Sequence, residues 1–243
     1  MKFKDFLRET LITLKIDLTK NLEYDRLTKD IIKNYVKENH NCIDIGCHKG
    51  EILDLMLKYS PNGKHYGFEP IPLLFENLTA KYTNKATILP YALSDTNGTS
   101  TFNFVKNAPA YSGIKQRKYA VKDPEIEEIN VEVRTLDELI SATEQIHFIK
   151  IDVEGGEFGV LKGSENLLKN NKPIILFECG KGASDFYGTK PTDLFDFLNE
   201  IVGLKIYTLK AFVKKEKALS KAEFENLFET NKEYYFVASP IAK

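Results

Sequence analysis

The chain reads as an α/β fold, a mostly parallel sheet with helices on both faces, and three observations point there. Strand-length apolar runs alternate with helical periodicity from about residue 41 onward. The first run, 41–45, leads through an acid into a loop with two glycines, Asp44-Ile45-Gly46-Cys47-His48-Lys49-Gly50. The second run, 65–69, ends in another acid, Glu69. Acids and glycines beyond the carboxyl ends of neighbouring strands are how a parallel sheet builds a nucleoside-binding crevice.

The elements follow in order. Residues 1–38 are helical in period, with Phe6, Leu7, Leu11, Leu14 and Leu18 on one stripe and Leu27, Ile31, Ile32, Tyr35 and Val36 on another. They are expected to pack as a helical segment on the domain formed by 39–243. The strand at 41–45 runs into a helix to 59, the strand at 65–69 into a helix to 82, and a further strand covers 87–93. Over 99–135 the rhythm breaks. Alternating runs at 100–105 and 129–134 flank a polar stretch, 106–128, long enough to serve as a substrate lid. Its Tyr111, Ser112, Lys115, Gln116, Arg117 and Tyr119 suit recognition of polar or sugar hydroxyls. The α/β rhythm resumes with a strand at 146–152, a helix to about 168 and a strand at 173–178. A helix within 192–202 and a strand at 204–209 come next. A charged helix is expected over 214–233, with Ser220 and Glu223 placed as a capping box, and an aromatic strand at 235–238 closes the chain.

Composition narrows the function classes. A chain of 243 residues, 42% of them hydrophobic, suits one globular domain with a sizeable core. A formal net charge of −1 provides no global field to recruit nucleic acid or an anionic membrane. Cys42, Cys47 and Cys179 form no C-x-x-C pair and read as buried thiols of a reducing compartment, so a cytoplasmic location is expected. The N-terminus carries charges where a signal peptide needs an apolar stretch, and no apolar run approaches the roughly 18 residues of a membrane span.

The glycine spacing selects among nucleoside cofactors. Dinucleotide enzymes use G-x-G-x-x-G to place a pyrophosphate on a helix N-terminus. Here His48 stands where that pattern wants its second glycine, and Asp44 precedes the first. An acid there repels a pyrophosphate and welcomes a cationic amino group, such as that of S-adenosylmethionine. Glu69 can accept hydrogen bonds from both hydroxyls of a ribose.

A second constellation lies at 146–157, Ile-His-Phe-Ile-Lys-Ile-Asp-Val-Glu-Gly-Gly-Glu. Strand period two puts Lys150, Asp152 and Glu154 on one face. Three charges on a central strand are expensive to bury unless they serve one another or a ligand. A self-satisfying Lys150–Asp152 pair is the plain reading; Asp152 facing a cofactor fits the crevice that Asp44 and Glu69 define.

Taken together, these blocks resemble the FkbM family of S-adenosylmethionine-dependent methyltransferases. The resemblance runs from about Tyr24 to Pro240 and rests on six ordered blocks: Asp44-x-Gly46-x-x-x-Gly50, Gly67-Phe-Glu-Pro-x-Pro72, Ala92-Leu-Ser-Asp-x-x-Gly98, Val133-Arg-Thr-Leu-Asp-Glu-Leu139, Phe148-Ile-Lys-Ile-Asp-Val-Glu-Gly-x-Glu157, and Lys172-Pro173 with Phe177-Glu178. It implies a Rossmann-like class I methyltransferase fold, seven strands with one antiparallel near the sheet's end, which the strand at 235–238 can supply. By matched position, Asp44, Gly46, His48 and Gly50 would hold the methionine end, Glu69 the ribose, and Ala92, Leu93 and Asp95 the adenine. The sequence departs from the family in carrying Cys47 and His48 where Ala and Asn are usual; His48 can still donate or accept a hydrogen bond.

The resemblance implies methyl transfer, by analogy to a hydroxyl of a sugar, glycan or natural-product acceptor; from the net charge, no nucleic-acid partner is expected. A hydroxyl acceptor must lose a proton, and Asp152, Glu154 and Glu178, in that order, are the candidate bases or orienting groups. Asp152 could instead hold the cofactor's amino group. No metal is expected, since there is no His-rich ligand set and carboxylates alone would suit magnesium or calcium. The rival readings are a catalytically inactive nucleoside-binding scaffold of the same fold and, disfavoured by the glycine spacing, a nicotinamide-dependent oxidoreductase.

Overall fold

A computed structural model describes residues 12, 17–119 and 121–240. Of the first expected stripe, Phe6, Leu7, Leu11 and Leu14 lie outside the described residues, while Leu18 is 70% exposed. The second stripe is a helix, α1 (Lys20–Tyr35), with Leu27, Ile31 and Ile32 buried and Thr19 capping its N-terminus through the Leu22 N–H.

From there the chain alternates. β1 (Cys42–Ile45), α2 (Glu51–Tyr59), β2 (His65–Phe68), α3 (Pro72–Lys81) and β3 (Thr87–Leu89) form one wing, its strands parallel. The chain then crosses to the other side of β1, where β7 (Phe148–Ile151) and β8 (Ile174–Glu178) continue the parallel ladder. β10 (Tyr235–Ser239) inserts antiparallel between β8 and β9 (Lys205–Thr208), giving the order β3-β2-β1-β7-β8-β10-β9. The expected antiparallel strand near the sheet's end is therefore supplied by the aromatic run at the C-terminus. The order reverses between β1 and β7, the switch point beyond whose carboxyl ends a crevice opens.

Both sheet faces are covered, which explains the unbroken apolar runs of the central strands. Ile43, Ile45, Ile149, Ile151, Ile175 and Phe177 face one core. Cys42, Phe148, Leu176 and Val237 face the other, with Leu53, Met56 and the buried residues of α1. Asp44 and Lys150, neighbours in register, share that second face and are buried in it.

The structure departs from the expected elements in four places. The single strand at 87–93 is two, because Pro90 has no N–H to continue the ladder. β3 stays in the main sheet, while β4 (Tyr91–Leu93) pairs with β6 (Ile126–Arg134) in a second sheet, β4-β6-β5, completed by β5 (Gly98–Val105). The β5–β6 ladder reaches Val105 and Ile126, so the irregular stretch is shorter than 106–128. After a short turn of helix, α4 (Leu136–Leu139), the helix expected up to 168 is also two. α5 (Glu157–Lys162) and α6 (Glu165–Asn171) break at Gly163, where any Cβ would lie 2.0 Å from the Ser94 carbonyl oxygen. α7 (Pro191–Asp196) runs on into a π turn to Val202. Finally, the helix expected over 214–233 is α8 (Leu209–Lys214), ended by Lys215 in the left-handed region, followed by α9 (Lys221–Thr230). The Ser220–Glu223 capping box is present.

Candidate active site

A cavity of about 1100 Å³ opens beyond the carboxyl ends of β1, β2, β7 and β8. Its floor starts with the β1 loop. The Gly46 and Cys47 N–H groups both donate to the Phe68 carbonyl, at 3.0 Å each, folding the loop back over β2. Gly46 has φ +78°, and a Cβ there would lie 1.9 Å from the Asp152 carbonyl oxygen, so the β1 and β7 loops touch through bare backbone.

Glu69 organises the next part. It is 4% exposed, and its carboxylate accepts from the His48 N–H at 2.8 Å and the Ile71 N–H at 3.0 Å. Burial pushes this carboxyl up to about 7, with the two N–H donors and Lys150 pulling the other way. Each oxygen keeps a lone pair for a further donor, and the residue borders the cavity. His48 sits at φ +49°, a conformation that Asn and His tolerate better than bulky residues.

Lys150 ties the loops together. Its Nζ donates to the Gly46 carbonyl at 2.9 Å and lies 3.5 Å from Asp44 Oδ1 and 3.6 Å from Asp152 Oδ2. Burial works against the ammonium, yet Asp152 and Asp44 hold its pKa above the ordinary lysine value. The plain Lys150–Asp152 pair is thus present, as one arm of a three-way junction. Asp44 is 0% exposed, and neither of its oxygens accepts a hydrogen bond among the described residues. Burial pushes its carboxyl up, against the pull of Lys150.

The acids of the second constellation converge by a route other than the expected pleat. β7 ends at Ile151, so strand alternation stops before Asp152, and Glu154 lies in the left-handed region at φ +60°. The loop nonetheless brings Asp152, Glu154 and Glu178 together, with one carboxylate oxygen of each within 4.8 Å of the others. Arg117, from the stretch between β5 and β6, forms an ion pair with Glu154. Burial, reinforced by Asp152 and Glu157, holds the Glu178 carboxyl well above its ordinary value, with Arg117 and Lys150 opposing. That stretch lines the cavity through Tyr111, Arg117 and Lys118 and is anchored by the Lys115 N–H to Tyr187 Oη at 3.0 Å and the Lys118 N–H to the Gly182 carbonyl at 3.1 Å.

Of the residues expected at the site, Gly46, His48, Glu69, Ala92, Leu93, Asp152, Glu154 and Glu178 border the cavity. Three do not. Asp44 lies beneath the floor, because its strand parity turns it toward Lys150 on the packed face. Gly50 caps α2 at φ +77°, where a Cβ would meet the Tyr82 hydroxyl. Asp95 turns outward to an ion pair with Lys162. Sequence reasoning did not assign the junction role of Lys150 or the tyrosines Tyr24, Tyr187 and Tyr234 that line the cavity. Lys150 carried a signal, a lone cation in an apolar strand; the tyrosines carried none.

The strand order, the single antiparallel strand and the crevice at the switch point define a class I methyltransferase fold. Residues 44–203 match the methyltransferase FkbM domain model. The chain belongs to the FkbM family of methyltransferases, and membership implies S-adenosylmethionine as methyl donor. A methyltransferase FkbM from Methylobacillus flagellatus KT has the same fold, at 15% identity and a TM-score of 0.52, covering 83% of this chain and 44% of that one. This chain therefore spans under half the length of that protein. A putative rRNA methylase from Clostridium thermocellum aligns at 11% identity and a TM-score of 0.47, over 89% of this chain and 95% of its own. Aeropyrum pernix fibrillarin with natively bound S-adenosyl-L-methionine aligns at 13% identity and a TM-score of 0.43, over 88% and 74%. No curated protein matches the chain. Among the described residues, no helix is long and apolar enough to cross a membrane.

Proposed function

We propose that the protein methylates a hydroxyl of a small-molecule, sugar or glycan acceptor, with S-adenosylmethionine as donor. One observation carries the reading: a glycine-cradled crevice bordered by a buried acid, Glu69, shares one cavity with a trio of acids, Asp152, Glu154 and Glu178. The residues fit the cofactor. Gly46 leaves the backbone bare at the floor, and Glu69 has free lone pairs for ribose hydroxyls. Ala92 and Leu93 provide apolar surface for a base.

When bound, the cofactor supplies a methyl group already activated by its sulfonium. The protein's task is to align an acceptor oxygen and exclude water. Asp152 is the first choice to take the acceptor's proton. Glu154 is engaged with Arg117, and the Glu178 carboxyl, held high by burial, is suited to orient a hydroxyl as a proton donor. The stretch from Lys106 to Glu125 serves as a lid, placing Tyr111 and Arg117 over the acceptor end.

Titration calorimetry with S-adenosylmethionine, S-adenosylhomocysteine and NAD tests the first half of this reading. Micromolar binding of the adenosyl ligands alone supports it; absence of binding overturns it, and binding without transfer to any acceptor favours the inactive nucleoside-binding scaffold. A screen of sugar acceptors for methyl transfer tests the second half. Turnover that persists in a chelator keeps the acids as proton acceptors, whereas loss restored by magnesium assigns them to a divalent cation.

A further inference from the structure

Between the end of β7 at Ile151 and the start of α5 at Glu157 lies the loop that carries Asp152 and Glu154. Its conformation is unusual. Glu154 has φ +60°, where a Cβ is disfavoured, and Gly155 has φ +109°. A Cβ at Gly155 would lie 2.6 Å from the backbone of Ala183, so the loop is pressed against the 183–187 turn. A non-glycine residue persists in the left-handed region only where its surroundings over-determine it.

Glu157 provides that determination. Its Oε1 accepts from the Val153 N–H at 3.0 Å and from the Gly155 N–H at 3.1 Å, gathering the amides on either side of Glu154. The residue is 1% exposed, and its Oε2 has no hydrogen-bond partner among the described residues. A carboxylate is a costly choice for such a place, since burial disfavours its charge. Support for α5 alone explains it poorly: an acid at a helix N-terminus acts as well from the surface.

We propose that Glu157 is a positioning residue. By holding the Val153 and Gly155 N–H groups on one oxygen, it sets the loop that aims Asp152 at the cavity and Glu154 at Arg117. The inference rests on the reading of those acids as site residues, but its geometry does not depend on any ligand. Burial pushes the Glu157 carboxyl up to about 7, with Asp152 adding to the shift, so the group is readily neutral in the folded protein. A neutral acceptor of the same shape should therefore replace it.

The test compares Glu157→Ala with Glu157→Gln by amide hydrogen exchange and by calorimetry with S-adenosylhomocysteine. In Glu157→Ala, exchange at Val153 and Gly155 should accelerate about tenfold or more, and affinity should fall about fivefold or more. In Glu157→Gln, whose amide oxygen can still accept both bonds, exchange and affinity should return to within about threefold of wild type. Wild-type exchange at both amides in a folded Glu157→Ala protein would overturn the proposal. If the alanine variant does not fold, a glutamine variant with both amides deprotected would overturn it equally, since the acceptor would then not be what matters. Failure of S-adenosylhomocysteine to bind wild type would remove the functional reading and leave the exchange result to decide this one.

Discussion

The two halves of the cavity are held by different kinds of contact. On the β1–β2 side, buried charges grip backbone: Glu69 takes the His48 and Ile71 N–H groups, and Lys150 takes the Gly46 carbonyl while facing Asp44 and Asp152. On the lid side, exposed Lys115 and Lys118 are tied through their backbone to the 182–187 turn, and one ion pair, Arg117–Glu154, joins lid to floor. Contacts of the first kind are costly to undo because each leaves a buried charge or amide unpaired. The backbone ties of Lys115 and Lys118 can be exchanged for water, whereas the Arg117–Glu154 pair is itself largely buried. The β1–β2 side is held by several buried contacts; the 106–125 side is held by one largely buried pair and two exposed ties.

The hardest way to break the contrast is at its rigid end. Gly46→Ala puts a methyl group 1.9 Å from the Asp152 carbonyl oxygen at φ +78°. Calorimetry should show S-adenosylhomocysteine affinity reduced by more than about 100-fold. Glu69→Ala removes the acceptor of two amides and, on the proposed reading, of the ribose, and affinity should drop about ten- to a hundredfold. Unchanged affinity would withdraw Glu69 from the site.

Glu69 also sharpens the comparison through pH. Its folded pKa, about 7, lies above its ordinary value of 4.5, as does that of Glu157. The folded state thus binds more protons than the unfolded chain between those values, and stability from this source is lost as pH rises through about 7. The melting temperature of the free protein should fall between about pH 5 and pH 8, less steeply in Glu69→Gln. Ribose hydroxyls donate to the ionised form, so S-adenosylhomocysteine affinity should rise over the same span. A flat affinity profile would break the link.

Smaller effects on affinity are expected on the 106–125 side. Arg117→Ala leaves Glu154 unpaired beside Asp152 and Glu178; it should lower the melting temperature and speed proteolysis within 106–125, with S-adenosylhomocysteine affinity kept within about twofold. A large affinity loss would mean that the halves act as one unit. Smallest of all, Ser220→Ala removes a capping box far from the cavity and should cost about 1 kcal/mol in denaturant unfolding with no change in binding.

What could be read from the sequence follows the same division. Gly46, Glu69 and the Ser220–Glu223 box are local devices: residue type and spacing alone place them. Lys150 was visible as a charge in an apolar strand, but its junction with Asp44 required the parallel register that sets those two residues side by side. Asp44 was expected at the ligand because its strand end faces the crevice; side-chain parity instead turned it into the packed face. Pro90 was a legible strand breaker inside the run 87–93, and reading past it hid the second sheet. The meeting of Arg117 with Glu154 joins two irregular segments, where neither period two nor period 3.6 constrains direction.

Pro90 has a further consequence. Because the ladder of the main sheet stops there, the β5–β6 hairpin hangs from a joint rather than from the seven-stranded sheet. Lengthening or trimming its tip, 106–125, changes that side of the cavity while the β4–β6 pairing and the main sheet keep their register. The tip between Val105 and Ile126 is thus the exchangeable part: a graft there would keep the β4–β6 pairing, and with it Ala92 and Leu93, in place.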